Sequence, residues 1–218
     1  MTEVVSPTIA SAEPVQLELS EEDRKRFQER DEDFVYQTWD DIKDIIAQNN
    51  LAALRRTPSE LKKYRYWSAN IKSKYGSVAN YIVRERLHWP VVDDMNSEVV
   101  NPVPFADERD YKILRNDWPY GFVPGISHMV VWLKNSNLDL KENGDLTDEA
   151  RKLCDDFVRN KFTKRLEELF DDAPERVLWF KNWAALQSVR ALQHIHVMVR
   201  DVPQEIITEW TGEEHLKR

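Results

Sequence analysis

The residues best suited to chemistry lie in Gln193-His194-Ile195-His196-Val197-Met198-Val199-Arg200. Read as a strand, this segment alternates faces, so His194, His196, Met198 and Arg200 share one side and Ile195, Val197 and Val199 the other. Two imidazoles two residues apart can bind a metal ion, share acid–base work on a substrate, or sit as hydrogen-bonded structural histidines. His128, in the segment SHMVVWLK, supplies a third imidazole if its strand neighbours the first. That trio is what a metal-dependent alternative needs. Phosphoryl transfer on three alternating histidines is not expected, because Met198 stands in the third place.

Three further groups carry polar chemistry in a fixed setting. Asn116-Asp117-Trp118-Pro119-Tyr120-Gly121 is a rigid turn that holds Asp117 and Tyr120 in place. A fixed carboxylate beside aromatic rings suits a cationic ligand such as a guanidinium, although a capped turn with buried rings has the same composition. In Trp179-Phe180-Lys181-Asn182-Trp183, Lys181 and Asn182 fall at a strand end, where they can support a developing oxyanion. Ser188 stands just before the histidine strand, yet lacks the flanking glycines of a nucleophile elbow. Cys154 falls mid-helix and reads as a small apolar residue; as the single cysteine it excludes an intrachain disulfide framework.

The chain of 218 residues carries a formal charge of −8, which speaks against broad nucleic-acid binding. The charge is uneven. Between Arg55 and Arg86 nine basic residues face only two acidic ones, with Tyr64, Tyr66, Trp67, Tyr75 and Tyr81 interleaved. Cations beside stacking rings are what single-stranded or hairpin RNA requires. A pair of amphipathic helices with aromatic core faces and solvated lysines gives the same pattern.

The elements that must position these groups follow from spacing and caps. Residues 1–19 read as a mobile tail and residues 20–218 as a single α+β domain with a small, mostly antiparallel sheet covered by helices. Helix starts are predicted at Ser20, Thr38, Thr57-Pro58 and Ser77, the last helix reaching Leu87. A proline-rich loop over 91–125 includes a short helical stretch at Asp107–Leu114. Strands are predicted at Ser127–Lys134, Arg176–Lys181 and Gln193–Arg200. An Asn143-Gly144 turn precedes a long helix from Thr147 to Phe170, and a short helix follows Pro203. With five glycines, no apolar run of about 18 residues and no basic, apolar leader, the sequence reads as a cytoplasmic protein without a membrane span.

The blocks NDWPYGFVPGISHMVVWLKN, RVLWFKNW and QSVRALQHIHVMV, in this order and spacing, make the chain resemble the fungal N-acetylglucosamine-induced protein 1 family over residues 30–202. The fungal arginine-containing cyclodipeptide synthases are similar to that family. The resemblance implies an aminoacyl-tRNA-dependent transferase of secondary metabolism that joins arginine to a second amino acid as a diketopiperazine. Its partners would be charged tRNAs, arginyl-tRNA among them, and it would need no cofactor and no metal. Under that implication His194, His196, Lys181 and Asn182 are catalytic. Asp117, Tyr120, Trp132, His128, Trp179 and Ser188 contact substrate, and Arg55, Arg56, Lys62, Lys63, Arg65, Lys72 and Lys74 bind RNA. The alternatives are the metal-dependent enzyme and a non-catalytic small-molecule or RNA-binding protein.

Overall fold

The computed structural model describes residues 17–90, 98–134, 138–142, 144–184, 186–187 and 189–214. Residues 1–16 of the expected tail, Asn143 of the expected turn and Ser188 lie outside the described residues. One four-stranded antiparallel sheet organises the chain. It consists of β1 (Tyr111–Arg115), β2 (Ile126–Leu133), β3 (Val177–Phe180) and β4 (His194–Arg200), in the spatial order β1-β2-β4-β3. The fold is α+β, as the sequence predicts.

Both faces of the sheet are covered, and the register decides what each covers. Met129, Val131 and Leu133 of β2 and Ile195, Val197 and Val199 of β4 point into the larger apolar core. Its lid is α5 (Asp148–Val158), a π-helical turn at Arg159–Thr163, α6 (Lys164–Glu167) and α7 (Gln204–Thr211). Cys154 is part of this core and fully buried, which pushes its thiol pKa up to about 12 and leaves it an apolar filler.

The opposite face is split. Val130 and Trp132 pack with Val78, Ile82, Val83 and Leu87, contributed by α4 (Val78–Tyr81) and the π-helical turn Ile82–Leu87. Phe180 and Met198 pack with Trp39, Ile42, Leu51 and Leu54, in and after α2 (Trp39–Ala47). His128, His194 and His196 lie on this face, along the seam between the two clusters.

The caps that the sequence announces are in place. Thr38 and Asp41 close a reciprocal capping box on α2, and the Thr57 hydroxyl accepts from the Glu60 amide at the start of α3 (Pro58–Tyr75). Ser20 caps α1 (Glu21–Arg26) through the Asp23 amide. Gly76, at φ +78°, ends α3 in a conformation that side chains resist.

Two expectations are corrected. Only Glu108–Asp110 of the expected helical stretch at 107–114 turns, as a 3₁₀ segment, and Tyr111–Arg115 is a strand. Its five residues bury Ile113 on one face and Leu114 on the other, so neither a two-residue nor a helical period stands out. The helix expected from Thr147 to Phe170 starts where its cap says but widens into the π-turn at Arg159 and ends at Glu167.

The approach to β1 depends on one carboxylate. Asp110 is fully buried and accepts from the amides of Val100 (2.9 and 3.1 Å) and Asn101 (2.7 Å), with Lys134 at 3.9 Å. Asp110→Ala would strand two backbone donors, each costing about 1–3 kcal/mol. Urea unfolding is expected to show a loss of about 2–5 kcal/mol on that basis, and a variant within 0.5 kcal/mol of wild type would contradict this account.

Candidate active site

Strand pairing assembles the site. Val130 lies opposite His196 and Trp132 opposite His194, so His128, two residues from Val130, reaches diagonally to His196. His128 Nε2 and His196 Nδ1 are 2.9 Å apart. On its other side, His196 Nε2 faces Asn182 Nδ2 at 3.4 Å, and the same Nδ2 donates to Tyr120 Oη at 3.2 Å. An amide nitrogen is only a donor, so His196 Nε2 is the acceptor and His196 Nδ1 carries the proton that it gives to His128. Asn116 Nδ2 lies 3.2 Å from His128 and completes the chain of contacts. His194 donates from Nδ1 to the Leu192 carbonyl at 2.7 Å, which leaves Nε2 as its lone-pair nitrogen, with the ring against Trp132.

All three imidazoles are buried, and burial pushes their pKa values down: to about 3 at His128, about 4 at His194, and well below the usual range at His196. The charge of Arg56 adds to the depression at His128 and His196. The rings are neutral at physiological pH, and His194 keeps an unshared pair on Nε2. His128 and His196 direct facing nitrogens at one another, a hydrogen-bonded pairing rather than two nitrogens converging on a shared ion. Among the described residues no group of three His, Cys, Asp or Glu side chains is arranged to hold a metal ion.

Arg56, expected among surface RNA contacts, is half-buried and turned toward the rings. Its guanidinium lies over the rings of Tyr64 (4.4 Å) and Tyr120 (5.2 Å), and Nε donates to the Trp118 carbonyl at 3.0 Å. It lines a cavity of about 80 Å³ with Trp67, Asn116, Trp132, Asn182, His194 and His196. Arg56, Tyr120 and Asn182 also wall a second cavity of about 230 Å³, where Arg55 and Arg65 join them. In the other direction, Arg86, Arg115, Asn116 and Asp117 are shared with an outer cleft of about 610 Å³ that carries Asp201, Glu213 and Glu214.

The site expectations sort clearly. His128, His194, His196, Asn182, Tyr120, Trp132 and Asp117 are brought together. Asp117 does not wait for a ligand, because it holds Arg86 through two 2.8 Å bonds; Glu213 adds a third contact to Arg86 at 2.6 Å and accepts from the Arg115 amide. The two carboxylates outweigh burial and keep the Arg86 guanidinium charged.

Trp179 is corrected to the opposite face of the sheet, against the larger core, with its indole nitrogen on Asp155. Lys181 points away as well. It lines a separate cavity of about 160 Å³ with Asp145 and Arg151, where its buried Nζ has no partner among the described residues and burial lowers its pKa.

Of the expected RNA contacts, Arg55, Lys63, Lys72 and Lys74 are exposed, Lys62 lies over Phe27, and Arg65 pairs with Asp23 at 2.8 Å. Among the interleaved rings, Tyr64, Trp67, Tyr75 and Tyr81 pack on one another or on Trp118, and Tyr66 is the exposed one. Sequence reasoning missed Asn116, Arg86 and Glu213. Asn116 stands in the same turn as Asp117 and Tyr120, but Glu213 meets Arg86 across 127 residues and leaves no local signal.

Comparison with known proteins places these residues in a wider set. A family model described as "Protein of unknown function (DUF3605)" matches residues 38–200. N-acetylglucosamine-induced protein 1 of Candida albicans is 29% identical over 187 residues, covering 79% of this chain and 71% of its own. The uncharacterized protein YPL067C of Saccharomyces cerevisiae is 30% identical over 161 residues, 74% of this chain and 77% of its own. The crystal structure of HTC1 superposes with a TM-score of 0.56 at 26% identity, covering 77% of this chain and 86% of that one. Among the described residues no helix is long and apolar enough to cross a membrane.

The neutral imidazoles make stability depend on pH. The unfolded chain takes up protons near the ordinary histidine value of 6.5, whereas the folded chain refuses them until about pH 4 at His194 and about pH 3 at His128. Stability is therefore complete above 6.5 and lost as pH falls through that window, at about 1.4 kcal/mol per pH unit for each imidazole. Urea midpoints measured from pH 6.5 to 4.5 are expected to fall for wild type and to fall less steeply for His128→Asn. Equal slopes would show that His128 is not held neutral.

Proposed function

The chain belongs to the family described as Protein of unknown function (DUF3605), and from that premise we propose that it is an aminoacyl transferase making an arginine-containing cyclic dipeptide from charged tRNAs. The observation that carries the reading is the small cavity faced by His194, His196, Asn182 and Arg56, which adjoins an acid-bearing cleft on one side and an arginine-bearing cavity on the other. An aminoacyl ester is already activated, so the protein needs only to align an amine with a carbonyl and to move one proton.

In this reading the α-amine of one aminoacyl group attacks the ester carbonyl carbon of the other. The C–N bond forms and the carbonyl π pair moves to oxygen. His194 Nε2 takes the ammonium proton, and collapse of the intermediate breaks the bond to the ribose oxygen, which receives that proton. A second aminolysis by the remaining amine closes the ring and releases the other tRNA. No oxidant or nucleotide enters the balance. Arg56 replaces the expected Lys181–Asn182 pair as oxyanion support, since Lys181 faces another cavity and the Asn182 amide is spent on Tyr120 and His196. The hydrogen bonds among His196, His128 and Asn116 fix the geometry beside the base.

The reacting amine and carbonyl are placed in the cavity of about 80 Å³, with the arginyl side chain of the substrate outside it. We assign that side chain to the outer cleft, where Asp117 and Glu213 already bind one guanidinium, that of Arg86. The reaction is assigned to the cytoplasm. Incubation with arginyl-tRNA and a second aminoacyl-tRNA is expected to give a diketopiperazine detectable by mass spectrometry. His194→Ala is expected to lower turnover about 10²–10⁴-fold. Absence of product with every arginine-containing pair would end the enzymatic reading.

A further inference from the structure

The second cavity, of about 230 Å³, is lined by side chains whose hydrogen-bonding capacity is unspent. Asn182 Oδ1 and Arg65 Nε are both buried and without partners among the described residues, and both residues line this cavity. Asn182 is 4% exposed, so its orphan acceptor has no access to bulk water. Arg55 and Arg56 add two guanidinium groups for which no carboxylate partner is found among the described residues. The acids present are taken: Asp23 pairs with Arg65, and Glu22 with Arg26. What remains is two unpaired cations, one buried N–H donor and one buried acceptor. An unsatisfied buried polar atom destabilises the fold, and both residues that carry one line this cavity.

We propose that this cavity is a binding site for a phosphorylated ribose, with the phosphate on Arg55 and Arg65 and a ribose hydroxyl donating to Asn182 Oδ1. A phosphate supplies the anionic acceptor oxygens that forked guanidinium groups bind best. The vicinal hydroxyl supplies the one thing Asn182 Oδ1 lacks, a donor. Asn182 and Arg56 belong to the partition between this cavity and the imidazole cavity, so a ribose seated here carries its remaining hydroxyl toward His194 and His196. For the terminal nucleotide of a charged tRNA that hydroxyl bears the ester. This last step rests on the acyl-transfer reading; the phosphate and ribose contacts rest on the cavity alone.

The site can be tested without turnover. Adenosine 5′-monophosphate, adenosine and inorganic phosphate would each be titrated calorimetrically against the 218-residue protein, free of tRNA, at constant ionic strength. The monophosphate is expected to bind at least tenfold more tightly than either fragment. Arg55→Met, an exposed position that tolerates change, is expected to weaken it about tenfold, and Asn182→Ala to remove most of its advantage over inorganic phosphate. Arg65→Lys, which can keep the contact with Asp23, serves where Arg65→Met does not fold. Equal binding of phosphate and the monophosphate would overturn the ribose contact. Binding indifferent to both Arg55 and Arg65 would overturn the site. Nucleotide binding by a protein that makes no diketopiperazine would leave the site standing and remove the reaction instead.

Discussion

A guanidinium and three imidazoles share one water-poor seam of the sheet, and the surrounding structure is shaped by the need to keep that arrangement tolerable. A half-buried cation without a carboxylate is costly, and Arg56 meets the cost with ring faces and a carbonyl rather than with a counter-charge. Burial keeps the histidines neutral, the charge of Arg56 adding to this at His128 and His196, and those two rings satisfy one another instead. The two apolar clusters on this face are therefore walls as much as cores. Each packs against a strand, and the polar chain from Asn116 to Asn182 occupies the gap that neither fills.

The sheet was legible wherever one face alternates with the other. β2, β3 and β4 follow the predicted strands within a residue or two, and the sharing of a face by His194 and His196 follows from a period of two alone. Caps at Thr38, Thr57 and Ser77 were equally readable, because a cap is a local hydrogen bond between residues three apart. β1 was not, since an edge strand with apolar residues on both faces has no period to read. Nor were the π-turns at Ile82–Leu87 and Arg159–Thr163, which conform to tertiary packing that single-sequence periodicity does not carry.

The site was legible in its residue types more than in its directions. Asn182 and Lys181 are adjacent, and adjacency at a strand end sends them to different cavities. Trp179 departs for the same reason, one step of alternation from Phe180, whose ring stacks on His196 at 4.7 Å. Arg56 looked like one more surface cation because charge counting is blind to burial. What distinguishes it is position, immediately before the strongest helix start in the chain, where Thr57 and Pro58 fix the backbone and set the side chain between Tyr64 and Tyr120.

The placement of Arg86 shows how the fold divides labour between charges. Arg56 is paired with no carboxylate among the described residues and can meet an oxygen that gains charge, whereas Arg86 is clamped by Asp117 and Glu213 and cannot do so without breaking three short contacts. The clamp links three distant pieces of chain: the π-turn that carries Arg86, the turn after β1, and the residues after α7. Arg115 joins them by receiving Glu213 at its backbone amide. A partly buried charge network of this kind gains modest net stability once desolvation is counted. Its stronger consequence is geometric, because the same ion pairs form the shared wall of the inner cavity and the outer cleft. Any ligand whose guanidinium enters the cleft competes with Arg86 for Asp117 and Glu213, so its arrival and the opening of that wall would be a single event.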